Sequence, residues 1–284
     1  MKKGINIWSF APGKTLSDCL KLSKQAGFDG IELELAENGP LSLASLDKDI
    51  LSVKREADDI GIEIAGLASG LGWTYGLTNA KADIRGKAED IVKKQLETAE
   101  ILGVDAVLVV PGAVGVDFIP DAEVTDYEVA YHNALESLVK LSALAEAHKV
   151  AIAVENVWNK FLLSPLEMKR FLDEVGSDYV GSYLDIGNTV LNGYPEHWIR
   201  SLNRRIKKVH FKDYRRNTAG LTGFVDLLAG DVDYPAVVKE LGQIGYANYC
   251  IAEMIPPYRH HPDQIIYNTS KSMDIILGRS EANA

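Results

Sequence analysis

The segment from residue 151 to residue 185 reads AIAVENVWNKFLLSPLEMKRFLDEVGSDYVGSYLD, and it decides the fold. It opens with the apolar run Ala151-Ile152-Ala153-Val154-Glu155 and closes with Val180-Gly181-Ser182-Tyr183-Leu184-Asp185, which are two short runs typical of buried strands. A longer segment of helical period lies between them. Strand, helix and strand in this order predict one repeat of an α/β protein with a parallel sheet.

The same alternation extends toward both ends of the chain. The other six predicted strands are Gly4–Phe10, Gly30–Leu35, Ile62–Leu67, Ala106–Val110, Lys208–Phe211 and Tyr249–Glu253. A helix-like stretch from Thr15 to Ala26 follows the first strand. Gly27, Gly61 and Gly103 each stand just before the next strand, where the left-handed end of a helix favours glycine. The sequence therefore contains eight β/α units.

Eight such units predict a closed (β/α)₈ barrel, the TIM-barrel fold of the α/β class. The alternative is an open doubly wound sheet, which would normally carry a glycine-rich phosphate loop after an early strand. The sequence has no such loop. Because neither a linker nor a low-complexity stretch interrupts the series, we expect residues 1–284 to form a single TIM-barrel domain.

Composition narrows the class of partner. The 284 residues are 46% hydrophobic and 25% charged, as in a globular protein, and the formal net charge is −10. A negative surface repels nucleic acid and anionic membranes, which favours a small-molecule partner. No apolar run approaches the roughly 18 residues of a spanning helix, and the start does not resemble a signal peptide. With only Cys19 and Cys250, both in apolar settings, we expect a reduced, cytoplasmic protein.

Four consecutive predicted strands, the fifth to the eighth, carry a metal-binding residue at the C-terminal end. These residues are Glu155, Asp185, His210 and Glu253. Active-site side chains of such barrels converge at this end. Three carboxylates and one imidazole suit Mn²⁺, Mg²⁺ or Co²⁺, and Zn²⁺ also accepts them. A single carboxylate there would more often be a solvated loop residue, but four in succession favour a metal site.

Four short motifs around these residues resemble those of the sugar phosphate isomerase/epimerase family, the xylose isomerase-like TIM barrels. They are Val154-Glu155-Asn156, Leu184-Asp185-Ile186-Gly187-Asn188, Val209-His210-Phe211-Lys212-Asp213 and Ala252-Glu253-Met254. The resemblance covers nearly the whole chain. It is closest to L-xylulose and L-ribulose 5-phosphate 3-epimerases and looser to D-tagatose 3-epimerase-like enzymes.

The resemblance implies that Glu155 and Glu253 both bind the metal and act as an acid/base pair, while Asp185 and His210 complete the coordination. It also implies one divalent ion per chain, with Mn²⁺ first, and a homodimer or homotetramer. The expected activity is epimerisation or isomerisation of a ketose or ketose phosphate. A metal stabilises the enediolate that forms when a proton leaves the sugar, and two glutamates on opposite faces exchange the proton.

Further residues are candidates for contact with the sugar. The substrate-binding predictions are Arg216, Asn188, Lys212, Trp8 and Trp158. Arg216 lies six residues after His210, where related epimerases place a substrate-contacting arginine, whereas Asn188 departs from the tagatose epimerase pattern, which has a histidine nearby. Other candidates for the pocket or its loops are Glu32, Trp73, Tyr75, Asp213, Arg215, His260 and His261. For the aromatic residues core packing is at least an equal alternative. For Arg216 and the charged residues near it, a solvated loop is an equal alternative. Paired loop histidines such as His260 and His261 are more often merely exposed.

Three other functions remain open from the sequence. An aldose–ketose isomerase or a related sugar dehydratase of the same family would use the same metal chemistry. An endonuclease IV-like phosphodiesterase would need extra histidine ligands, whereas this chain has six histidines and none before His132. A non-catalytic sugar-binding barrel would keep the fold without the chemistry.

Overall fold

The computed structural model describes residues 1–255 and 258–279. In this part of the chain, eight parallel strands close into a barrel in which each strand pairs with its neighbours in sequence and the first pairs with the last. The strands are β1 Lys2–Asn6, β2 Gly30–Glu34, β3 Glu63–Ala68, β4 Ala106–Val109, β5 Ala151–Glu155, β6 Val180–Asp185, β7 Ile206–Phe211 and β8 Tyr249–Ala252. The predicted (β/α)₈ barrel is therefore confirmed.

Helices connect the strands and pack around the barrel. They are α1 Leu16–Gln25, α2 Asp47–Ile60, α3 Ala82–Leu102, α4 Tyr127–His148, α5 Pro165–Val175, α6 Pro195–Leu202, α7 Tyr234–Gln243 and α8 Gln264–Ile276. Outside this series lie short 3₁₀ helices, a single helical turn at Ile186–Thr189 and an antiparallel pair of short strands, Asp213–Tyr214 with Phe224–Val225. Gly61 and Gly103 end their helices in the left-handed conformation, as predicted, because glycine has no Cβ to oppose it.

The pleat of the strands sorts their side chains into two cores. On β4, Val107 and Val109 join the large core between barrel and helices, whereas Ala106 and Leu108 join a smaller core inside the barrel. Small residues such as Ala153 help fill the interior beside Leu108. Because successive side chains alternate between the faces of a strand, the interior set continues to the C-terminal end of each strand, where the barrel opens.

The first strand differs from its predicted range, Gly4–Phe10. It spans Lys2–Asn6, and residues 7–9 form one turn of 3₁₀ helix. The side-chain oxygen of Asn6 accepts a hydrogen bond from the Trp8 backbone N–H at 2.7 Å, which caps this turn and ends the strand. The apolar residues after Asn6 therefore belong to the barrel mouth. The strand β7 begins two residues earlier than the predicted start at Lys208.

Cys19 and Cys250 are both buried and unpaired. No helix in residues 1–255 and 258–279 combines the length and apolar character needed to cross a bilayer.

Candidate active site and metal centre

Four buried side chains meet at the C-terminal mouth of the barrel. One ligand atom each from Glu155, Asp185, His210 and Glu253 lies within 4.8 Å of the others. Each side chain belongs to the interior set of its strand, since Glu155 follows Ala153 by two positions and Glu253 follows Ile251 by two. The four predicted ligands are thus brought to one point by the ends of strands β5 to β8.

A buried carboxylate in the barrel interior orients the imidazole of His210. Its Nε2 lies 2.7 Å from Oε2 of Glu32, a fully buried carboxylate on the opposite side of the barrel interior. Glu32 also accepts hydrogen bonds from Asn6 Nδ2 at 2.7 Å and from the Tyr183 hydroxyl at 2.7 Å. A carboxylate that accepts the Nε2 proton leaves the Nδ1 lone pair free for a metal. The histidine therefore presents Nδ1 to the three other ligands.

The ends of β5 and β6 are fastened together by an asparagine. The Asn156 side chain accepts from the Asp185 backbone N–H at 2.8 Å and donates to the Asp185 carbonyl at 2.9 Å. The Asn188 amide then donates to the Asn156 carbonyl, while its backbone N–H donates to Oδ1 of Asp185 at 2.7 Å. These hydrogen bonds hold the Asp185 carboxylate so that Oδ2 is directed at the other proposed ligands.

Three ligand atoms at the centre are buried without a hydrogen-bond partner. They are Oδ2 of Asp185, Nδ1 of His210 and Oε2 of Glu253. The Lys212 ammonium lies 2.8 Å from Glu253 Oε2 and 3.1 Å from Asp185 Oδ2, but not in hydrogen-bond geometry. Buried polar atoms without partners are costly, and one divalent cation would satisfy all three once Nδ1 of His210 has lost its proton. The residues present therefore fit a metal ion of the hard-oxygen type.

The two glutamates have opposite pKa shifts. Burial raises the pKa of Glu155 to about 7, and its contacts with His210 and Lys212 only partly oppose that effect. Burial also acts on Glu253, but the positive charges of Lys212 and His210 outweigh it and lower the pKa of Glu253 to about 2. The two carboxylates therefore differ in their tendency to hold a proton in the metal-free site.

The remaining two ligands and their lysine form a strongly charged cluster. Burial raises the pKa of Asp185 despite the opposing charge of Lys212. For His210, burial lowers the pKa, but the charge of Glu32 and the nearby glutamates raise it well above its usual value. The pKa of Lys212 is raised because the carboxylates outweigh its burial. The excess of carboxylates over cations makes this a site that attracts positive charge.

A cavity of about 420 Å³ opens directly above the ligands. Four of the predicted substrate-binding residues line it: Trp8, Trp158, Asn188 and Lys212. The other lining residues outside the metal ligands are Glu34, Gly70, Trp73, Val110, Phe118, Val157, Leu221, Phe224, Met254 and Ile255. The indole Nε1 of Trp158 donates to the Asn188 carbonyl at 3.1 Å, so this aromatic wall is fixed to the loop after β6.

The fifth substrate-binding prediction, Arg216, lies elsewhere in this structure. Its guanidinium stacks over the Tyr194 ring, 4.8 Å from the centroid, and its Nε donates to the Val190 carbonyl at 3.3 Å. It is not among the residues that line the cavity. Its contact with substrate therefore stays a prediction that requires the side chain to leave Tyr194.

Other charged or aromatic candidates from the sequence also have structural partners away from the ligands. The Asp213 carboxylate accepts hydrogen bonds from the backbone N–H groups of Leu228, Gly230 and Val232, and so folds the loop after β7. Arg215 donates to the Ala229 carbonyl. Tyr75 pairs with Glu37 at the surface, and His260 and His261 are exposed. None of these side chains lines the cavity.

Two functional placements were not predicted. Glu32 was expected at most as a pocket wall, but it lies beneath the site and orients His210. Glu34 was not considered, although its side chain lines the cavity. The signal was present in both cases, since Gly30-Ile31-Glu32-Leu33-Glu34 places two carboxylates on one face of an otherwise apolar strand.

A closed barrel of eight parallel strands, with a buried and carboxylate-rich cluster at its C-terminal mouth that could hold a divalent metal ion, defines a TIM barrel with a candidate metal site. Residues 20–273 match the model of the family described as "Xylose isomerase-like TIM barrel". The chain belongs to this family.

Three known proteins illustrate the relationship. The chain is 27% identical over 212 residues to 2-epi-5-epi-valiolone 7-phosphate 2-epimerase of Actinoplanes sp., covering 74% of this chain and 72% of that protein. It is 24% identical over 269 residues to the putative L-ribulose-5-phosphate 3-epimerase SgbU of Escherichia coli K12, covering 88% of each. A solved structure of D-psicose 3-epimerase, determined in the presence of D-fructose, superposes with a TM-score of 0.80 at 16% identity and covers 98% of this chain and 100% of that one.

Proposed function

We propose that this chain is a divalent-metal-dependent epimerase of a ketose or ketose phosphate, in which Glu155 and Glu253 move a proton between the two faces of the sugar. It is an enzyme of the sugar isomerase and epimerase class. Support comes from its family and from relatives whose names are those of epimerases. The observation that carries the proposal is the pair of glutamates on β5 and β8, which border one cavity and share one metal centre.

Inversion at a carbon next to a carbonyl needs two groups on opposite faces of the sugar. Oε1 of Glu155 lies 3.4 Å from His210 Nδ1, and Oε2 of Glu253 lies 3.0 Å from the same atom. The two carboxylates thus reach the centre from strands on different sides of the barrel mouth. One removes the proton from the carbon, and the other delivers a proton to the opposite face, so that protons balance over a turnover.

The two glutamates differ in their affinity for protons before a metal binds. Glu253, with its pKa lowered to about 2, is ionised. Glu155, with its pKa raised to about 7, retains part of its protonation near neutrality. Because a bound metal displaces protons from its ligands, these values describe the metal-free site, and the acid and base roles of the two glutamates are assigned by the faces from which they approach the sugar.

The metal proposed for the site is a single Mn²⁺, held by Glu155, Asp185, His210 and Glu253, because three carboxylates and one imidazole form a mostly hard ligand set. When bound, the ion supplies positive charge that stabilises the enediolate of the sugar. Trp8 and Trp158 provide flat apolar walls, and the Lys212 ammonium provides a fixed positive charge beside the ligands. We also propose a homodimer or homotetramer.

The test is proton exchange in D₂O with Mn²⁺ and a panel of ketoses, followed by NMR. Glu155→Gln and Glu253→Gln each remove the acid/base function from one face. We expect epimerisation to collapse in both variants, while each variant that retains metal exchanges deuterium into one epimer only, and the two prefer opposite epimers. Glu146→Gln, on the exposed surface of α4, is the matched control and should behave as the parent.

Several outcomes would contradict the proposal. Exchange into the same epimer by both variants would indicate a single base. Interconversion of an aldose and a ketose, or loss of water from the sugar, would identify the isomerase or dehydratase instead. Cleavage of DNA with Zn²⁺, or absence of any turnover with metal bound, would identify the nuclease or the non-catalytic barrel.

A further inference from the structure

Glu34 places a carboxylate in the wall of the metal-side cavity. It is the last residue of β2 and has the same strand parity as Glu32, so its side chain belongs to the barrel interior. It is half-buried and lines the cavity beside Trp8 and Gly70. Its Oε1 lies 3.5 Å from the position that a Cβ on Gly70 would take. Among the described residues, no side chain forms an ion pair or hydrogen bond with this carboxylate.

The positively charged side chains near the cavity already contact carboxylates or an aromatic ring. Of the described residues that line the cavity, Lys212 is the single cation, and it contacts Asp185 and Glu253. In two adjoining cavities, which share Trp158 and Trp8 with this one, the lysines are paired: Lys160 with Asp117 at 2.6 Å, and Lys14 with Asp263 at 3.0 Å. The guanidinium of Arg216 covers the Tyr194 ring. A phosphate group in the cavity would therefore meet a carboxylate and no unengaged cation in the described part of the chain.

We infer that the substrate is a neutral, non-phosphorylated ketose and that Glu34 is a specificity residue that disfavours phosphate esters. This inference rests on the proposed function. The names of the two relatives specify phosphorylated compounds. The inferred substrate of this chain therefore differs from theirs. Proteins bind phosphate mainly through arginine, lysine and backbone N–H groups, and repulsion from a carboxylate selects against it.

The cavity wall that contains Glu34 is compatible with a neutral sugar. Sugar hydroxyls donate hydrogen bonds, and an ionised carboxylate is a strong acceptor for them. The aromatic residues Trp8, Trp73, Phe118 and Phe224 offer flat apolar surfaces to the C–H faces of the ring or chain. Pockets that combine mostly apolar walls with a few placed polar groups are typical of small-molecule ligands.

The first experiment compares matched substrates on the Mn²⁺-loaded protein: a ketopentose with its 5-phosphate, and a ketohexose with its 6-phosphate. We expect kcat/KM for the free ketose to exceed that for the ester by about tenfold or more, because the phosphate would approach a like charge at close range. An ester that is turned over as well as or better than its free ketose would overturn the inference while leaving the proposed epimerase intact. Turnover of neither would instead contradict the proposed function.

The second experiment assigns the selectivity to Glu34. Glu34→Gln keeps the size of the side chain and removes its charge, so kcat/KM for the phosphate ester should rise relative to that for the free ketose by roughly fivefold or more. Glu37→Gln is the matched control, because Glu37 is an exposed glutamate three residues further on that does not line the cavity. In Glu37→Gln, the ratio of kcat/KM for the phosphate ester to kcat/KM for the free ketose should equal that of the parent. An unchanged ratio in Glu34→Gln, with metal content and melting temperature intact, would refute the assignment.

Discussion

The carboxylate of Glu32 lies 2.7 Å from Nε2 of His210, on the side of the ring that faces away from the other metal ligands. This contact joins β2 to β7 across the barrel interior and places Nδ1 of the histidine opposite Glu155 and Glu253. The geometry of the candidate metal site therefore depends on a residue outside the four proposed ligands.

Replacing Glu32 by glutamine should weaken metal binding without removing a ligand. The amide can present N–H to the ring, which favours the wrong tautomer, so we expect the Kd for Mn²⁺ to rise by about 10- to 100-fold. Isothermal titration calorimetry of the metal-stripped protein measures this change. Glu146→Gln serves as the control, and an unaltered Kd in Glu32→Gln would show that the carboxylate only fills space.

Removing the charge of Asp185 should reduce metal occupancy. Asp185→Asn retains Oδ1 as an acceptor for the Asn188 N–H, so the loop after β6 keeps its hydrogen bond. The loss of a carboxylate from a set of three should lower the metal content per chain and the epimerase rate together. Elemental analysis beside activity assays tests this expectation. Full occupancy with full activity in the variant would exclude Asp185 as a ligand.

Metal binding should release protons and strengthen as the pH rises. Glu155, with its pKa raised to about 7, and His210, with its pKa raised well above the usual value, hold protons in the metal-free protein near neutrality. Metal ligands must lose those protons, so affinity should increase from about pH 6 to about pH 8. Calorimetry in PIPES and in Tris reports the protons through the ionisation enthalpies of the buffers. Equal enthalpies in the two buffers would contradict proton release.

Gly187 should tolerate no side chain. A Cβ at this position would overlap Cβ of Lys212 and approach its backbone carbonyl carbon at 3.0 Å. Gly187→Ala should therefore lower the free energy of unfolding by about 1–3 kcal/mol and displace Lys212 from the ligands. Gly86→Ala is the matched control, since nothing lies within 4 Å of its Cβ position on α3, and it should be neutral or stabilising. Denaturant unfolding compares the two variants.

Arg216→Ala distinguishes the sequence prediction from the observed position of the side chain. If Arg216 leaves Tyr194 to hold the substrate, the variant should lower kcat/KM while the metal content stays unchanged. The size of the effect should resemble the loss of one charged hydrogen bond, about tenfold or more. Unchanged kcat/KM would leave the arginine with its packing role alone.

The barrel and the convergence of the four proposed ligands were predictable because they depend on local patterns. Strands β5 and β6 have their predicted bounds, and a side-chain period of two turns Glu155 and Asp185 toward the barrel interior. His210 and Glu253 follow from the same rule on the next two strands. Convergence then requires only that parallel strands present their C-terminal ends at one edge.

The parts that could not be predicted depend on contacts between distant segments or on single side chains. The role of Glu32 requires knowledge that β2 and β7 face each other across the interior. The true end of β1 depends on a cap made by the Asn6 side chain, which the apolar run after it conceals. The stacking of Arg216 on Tyr194 joins two irregular loops, whose contacts no hydrophobic periodicity predicts.

Closure of the barrel by β1 and β8 affects when the site can form during synthesis. Lys2 pairs with Tyr249 and Gly4 with Ile251, so β8 lies between β1 and β7. This strand, which precedes Glu253, can take its place only after the other seven strands have been translated. A nascent chain on the ribosome carries three of the four ligands before the ring of strands is complete. Assembly of the four-ligand centre is therefore one of the last steps in the maturation of each newly made molecule.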